Sequence, residues 1–100
     1  MNEEYLDNMA TMLVVTATVP NLIRYNNDEN LFRQVAEQGK TALVKMGICD
    51  AELTAALDDV INDDRDVLRG KLEELERVFS SYAALAQDEL YGTSESQLAH

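Results

Sequence analysis

The chain lacks tryptophan and has one proline, one cysteine, one histidine and four glycines in 100 residues. Each scarcity excludes something. A lone cysteine, Cys49, cannot close an internal disulfide, which fits a reducing cytoplasm. The single histidine, His100, falls in an expected floppy tail. No imidazole is therefore placed to activate a serine or cysteine nucleophile, and no histidine-based metal site can be assembled. The glycines, at positions 39, 47, 70 and 92, stand too far apart to cradle a phosphate. Aromatic residues make up only 6%, so the core must be built from Leu, Val, Ile, Met and Ala. Long apolar runs are missing too: MATMLVVTATV (9–19) contains three threonines and is too short to cross a bilayer. The opening MNEEYLDN carries acids where a secretory signal would carry bases. These absences predict a soluble cytoplasmic protein with no enzymatic activity, no cofactor and no metal.

Positive charge is the other shortage. Eight Lys and Arg face nineteen Asp and Glu, for a net charge of −11. A field of that sign repels nucleic acid and anionic membranes and steers the molecule toward basic surfaces. Direct nucleic-acid binding and membrane binding are both unexpected.

What is present is helical patterning. Hydrophobic residues at 46% suffice for one core, and the length suits one domain, expected over 1–91 with a disordered tail at 92–100. A first helix is expected from about Asn2 to Thr18, with Glu3 and Glu4 complementing its dipole and Pro20 closing it. Its β-branched end, 13–19, reads alternatively as a strand. Asn27 or Asp28 then caps a second helix, whose stripe is Leu31, Phe32, Val35, Ala36, Ala42, Leu43 and Met46. Gly39 inside it points to a close crossing or a kink, and Gly47 to a left-handed terminator. Asp50 caps a short third helix, 51–61, ended by Asn62. Asp63 caps a fourth, Asp64 to Tyr91, in which Leu68, Leu72, Leu75, Phe79, Tyr82 and Ala86 alternate at four and three. That seam fits either an intrachain core or a homodimer, and Glu73 is spaced to support Arg77. Cys49, just before the Asp50 cap, is expected to be a buried small hydrophobe. The fold class is all-α, a compact antiparallel bundle of about four helices.

One stretch stands out. LDDVINDDRD (57–66) concentrates carboxylates, and from Asp50 to Asp66 there are seven acids and one base, Arg65. A calcium loop counted from Asn62 fails at its sixth position, where Val67 replaces the required glycine. Asp63, Asp64 and Asp66 are explained by a helix start, but Asp58 and Asp59 sit at the negative end of a helix dipole, where cations are preferred. Residues that break a local rule are candidates for function. The expectation is that Glu52, Asp58, Asp59, Asp63, Asp64 and Asp66 form a platform for a basic partner, a protein or nucleoprotein complex. Carboxylates on rigid helices would then occupy phosphate positions, as in DNA mimicry. Small acidic helical proteins are common among phage-encoded inhibitors of restriction and CRISPR nucleases, a resemblance of size and charge alone. The competing expectation is a helical adaptor or assembly subunit. It would bind through the Met-bearing first helix or the Leu68–Ala86 seam, with the acids serving solubility.

Overall fold

A computed structural model describes residues 3–25 and 28–98, the side chains of 91–98 excepted. The described residues form five α-helices and no strand: α1 (Glu3–Tyr25), α2 (Glu29–Met46), α3 (Ala51–Asn62), α4 (Arg65–Gly70) and α5 (Leu72–Leu98). The protein is all-α. Short connections make α1 and α2, and α2 and α3, antiparallel neighbours. Lys40 of α2 meets Asp58 of α3, Arg77 of α5 meets Glu52 of α3, and Tyr5 and Arg24 of α1 meet Glu89 and Glu76 of α5. The α1 pairings run α5 antiparallel to α1; Lys71, just before α5, meets Asp59 and Asp63 at the end of α3 while Arg77 meets Glu52 at its start, so α5 runs antiparallel to α3 as well, closing a four-helix bundle with α4 lying across one end.

The caps follow the sequence. The Asp28 carboxylate accepts from the Asn30 amide at 3.0 Å, that of Asp50 accepts from Leu53 at 3.0 Å, and Gly47 ends α2 in the left-handed region at φ 71°. Asn27 lies outside the described residues. Gly39 is where α2 crosses α1 and α3: a Cβ there would stand 2.9 Å from Val15 Cγ1 and 3.4 Å from both Leu57 Cδ2 and Met12 Sδ. The close crossing, and not a kink, is its reason.

Three boundaries differ from expectation. α1 does not stop at Pro20 and is no strand over 13–19. It continues to Tyr25 with Pro20 buried inside it. A proline in a helix interior costs about 3 kcal/mol. Against that, the turns around and beyond it bury Val19 and Ile23 completely, each worth roughly 1.5–3 kcal/mol. The end of α1 is also held from outside: Arg69 donates to the Ile23 carbonyl at 3.2 Å and the Arg24 carbonyl at 2.7 Å, and Arg65 donates to Ile23 at 3.4 Å. The second difference is that the expected 64–91 helix is two helices, broken at Lys71 (φ −114°, ψ 18°). Gly70 has poor helix propensity, and the break turns α4 so that Arg65 and Arg69 reach the end of α1. The helix start is capped by Asp64, whose carboxylate accepts from the Val67 amide at 3.0 Å, not by Asp63, which instead ends α3 by donating its amide to the Asp59 carbonyl. The third difference lies at the far end, where the α5 backbone runs past the expected Tyr91 to Leu98, with no proline in 93–98 to stop it. Residues 99–100, with His100, lie outside the described set.

The core joins Met9, Met12, Val15, Val19 and Ile23 of α1 to Phe32 and Ala36 of α2, Leu53, Leu57 and Val60 of α3, Leu68 of α4, and Leu75, Phe79, Tyr82 and Ala86 of α5. The seam is intrachain core, so it is not available to a second copy. Met9 and Met12 of the Met-bearing first helix are buried with it, while Leu6 and Val14 of that helix are exposed. Cys49 is the reverse case: expected inside, it is exposed. It falls in the turn between Gly47 and the Asp50 cap, outside both helices, where the core does not reach.

α1 meets the length and hydropathy of a membrane-crossing segment, with a window of mean hydropathy 1.2. The eleven-residue run 9–19 understated it because the uncharged stretch continues to Ile23. Here that helix forms one wall of the core of a compact bundle.

Candidate functional site

The six carboxylates picked out by sequence lie on the end of α3, the α3–α4 corner and the α3 flank facing α5. The structure surrounds them with cations drawn from elsewhere in the chain. Lys40, from α2, donates to Asp58 at 2.6 Å. Lys71, at the α4–α5 break, donates to Asp63 at 2.9 Å and stands 3.5 Å from Asp59. Arg77 pairs with Glu52 at 2.6 Å and with Glu74 at 2.7 Å, so its helix partner is Glu74 and not the expected Glu73. Asp58 and Asp59 sit at the unfavourable end of the α3 dipole, and the two lysines supply the positive charge that this end prefers.

Asp64 and Asp66 behave differently. Asp64 spends one oxygen on the α4 cap, and Asp66 lies exposed in the first turn of α4, where the dipole favours it. Asp58, Asp59 and Asp63 are half-buried, while Glu52, Asp64 and Asp66 are exposed. The corner is thus one surface, in which Asp59 and Asp63 share Lys71 and Asp58 has Lys40 to itself.

The Asp63 carboxylate, as hydrogen-bond acceptor, raises the Lys71 ammonium above its usual pKa, with the nearby Asp59 and Asp63 charges adding to it and partial burial opposing. Arg77 is raised by its hydrogen bonds to Glu74 and then Glu52. The Lys71 ammonium fills the space between Asp59 and Asp63 that a bound cation would take, and Asp64 is turned toward the Val67 amide. Among the described residues no group of three metal-ligating side chains converges.

A shallow open depression of about 890 Å³ adjoins the corner, lined by Arg24, Arg69, Lys71, Glu73, Glu76 and Arg77 among others. Its charges pair with one another, Arg24 with Glu76 and Arg77 with Glu74. Its lining holds no Ser, Cys or His.

A second acidic region went unnoticed in the sequence. Glu3, Glu4 and Asp7 open α1, and the Tyr5 hydroxyl donates to Glu89 of α5 at 3.2 Å, which brings Asp88 and Glu89 to the same end of the bundle. No Lys or Arg occurs in 1–23 or in 78–100; that was the available signal. Tyr5 is raised above its usual pKa by burial, then by the Glu89 charge and hydrogen bond. The bundle thus gathers Glu3, Glu4, Asp7, Asp88 and Glu89 toward one end, while Arg24, Arg65, Arg69 and Lys71 at the other are interspersed with Asp63, Asp64, Asp66, Glu73 and Glu76.

Scans against known protein families, characterised proteins and solved structures find no match to this chain.

Proposed function

We propose that this protein is a non-enzymatic cytoplasmic binding module that docks its acidic corner on the basic surface of a protein or nucleoprotein partner, occupying sites that nucleic-acid phosphates would otherwise hold. One observation carries this reading. Asp58, Asp59 and Asp63 are fixed at a rigid helix end, and their counter-ions are surface lysines. Exposed lysine–carboxylate pairs contribute about 0–1 kcal/mol in water, so they orient the carboxylates without sealing them off. An incoming arginine, with a planar fork that takes a carboxylate bidentately, replaces a lysine at little cost. Asp64, Asp66 and Glu52 flank the row and extend it. The net charge of −11 adds long-range attraction to any basic surface.

The test neutralises the row without creating new repulsion beside Lys40 and Lys71. Asp58→Asn, Asp59→Asn and Asp66→Asn should together leave the helical circular dichroism intact. The wild-type protein, used to capture partners from a lysate of its source cell, should retain a basic protein that duplex DNA displaces. The triple variant should lose it. Capture that is indifferent both to the three substitutions and to DNA would refute the assignment.

A further inference from the structure

The two lysines that neutralise the corner are held in different ways. Lys40 stands beside Gly39, whose backbone is pressed against Val15 and Leu57, so its reach to Asp58 starts from a fixed point. Lys71 belongs to neither α4 nor α5. Its amide donates to the Leu68 carbonyl at 3.2 Å and its carbonyl accepts from the Leu75 amide at 3.0 Å, which makes it the joint between the two helices. Gly70, just before it, has nothing within 4 Å of the position a Cβ would take, so no neighbour packs against the joint on that side. The Lys71 side chain runs back to the end of α3, to Asp63 at 2.9 Å and Asp59 at 3.5 Å. The ammonium that occupies the corner therefore also ties the joint to it.

The other ties of α4 go to α1. With six residues, α4 is too short to persist as a helix alone, so its place is set by what it touches. Leu68 is buried in the core, and Arg65 and Arg69 donate to the Ile23 and Arg24 carbonyls that close α1. One short element, with the joint that ends it, thus has a cation in the acidic corner and two on the α1 terminus. Whatever takes Asp59 and Asp63 from Lys71 removes a tie from α4 and, through it, loosens the last turn of α1. Linkage of this kind is reciprocal.

We propose that α4 is a strap between the acidic corner and the closing turn of α1, and that Lys71 is an internal occupant of the corner which a docking partner displaces. This coupling rests on the corner being the docking surface. The probe is a short fluorescent oligoarginine peptide at low ionic strength. Lys71→Met should bind it about 2- to 5-fold more tightly than Lys45→Met, the range that an exposed ion pair allows. Lys45, in the last turn of α2, undergoes the same change of charge at the far end of α3 from the corner. Lys71→Arg should bind the peptide more weakly than wild type, since a planar fork of donors holds two carboxylates more firmly than an ammonium does. In the wild-type chain, saturating peptide should speed amide exchange in residues 22–25 by about 2- to 5-fold relative to the middle of α2. Lys71→Met should show that faster exchange without peptide. The wild-type arm remains decisive if a variant fails to fold. The coupling is overturned, and docking stands, if Asp58→Asn, Asp59→Asn and Asp66→Asn together abolish binding while Lys71→Met binds no more tightly than Lys45→Met, or while bound peptide leaves 22–25 as protected as before. If the triple variant binds the peptide like wild type, the corner is not the docking surface and both readings fall.

Discussion

Glycine 39 and glycine 70 show how one residue type does two jobs. At Gly39 an added methyl meets Val15 Cγ1 at 2.9 Å, and Val15 is buried, β-branched and unable to turn away. At Gly70 nothing stands within 4 Å and the backbone is not left-handed. Gly39→Ala should therefore lower stability by about 1 kcal/mol, overpacking exceeding the gain in helix propensity. Gly70→Ala should raise it by roughly 0.5–1 kcal/mol. Urea denaturation of the two variants gives opposite shifts of midpoint if the α1–α2–α3 crossing is as close as described. Lys71 is the other informative residue. Its pKa is raised by Asp63 and Asp59, and those of Tyr5 and Tyr82 are raised chiefly by burial. A raised pKa means the folded state holds its proton longer than the unfolded one. The associated stability is complete below the unfolded values, near pH 10, and is lost as pH climbs through the folded values. The thermal midpoint should stay level toward pH 9 on this account and fall above about pH 10. Lys71→Met should flatten that fall, and an unchanged alkaline slope would remove Lys71 from it.

Elements are where local reading succeeded and failed for identifiable reasons. The Asp28 and Asp50 caps and the Gly47 terminator were legible because each is settled by neighbours a few residues away, and the Gly39 crossing because a glycine inside an apolar helical stripe marks it although Val15 and Leu57 lie far off in sequence. Pro20 and the break at Lys71 were not, because distant contacts decide both. Ile23 is worth burying only if a core exists beyond Pro20, and Arg69 is needed only because the α1 carbonyls await it. The acidic corner divides the same way. Its carboxylates were visible in the sequence, but Lys40 lies 18 positions from Asp58 and Lys71 lies beyond α4, at the α4–α5 break, so the local excess of charge looked larger than the folded surface makes it. The Arg69 contact gives the prediction for this scale. Arg69→Ala strips two carbonyls of a charged donor and should destabilise the protein by about 1–3 kcal/mol. The loss of hydrogen-exchange protection should be concentrated in the last turn of α1; uniform loss would mean that the contact is incidental.

At the scale of the whole molecule, the net charge of −11 makes partner docking sensitive to salt. Docking of the carboxylate row on a cationic partner is driven by unlike charges and should weaken as ionic strength rises. Partner capture measured across a salt series checks this, and capture indifferent to salt would remove the carboxylate row from the contact.

The grip of α4 on α1 also orders events in time. A chain emerging from the ribosome completes α1 long before Arg65 and Arg69 exist, so the turn after Pro20 has neither its own full ladder nor its external donors while α2 and α3 are being made. Of the five described helices α1 is made before the other four yet is among the last to be finished, since its closing turn is set only when α4 comes back against it.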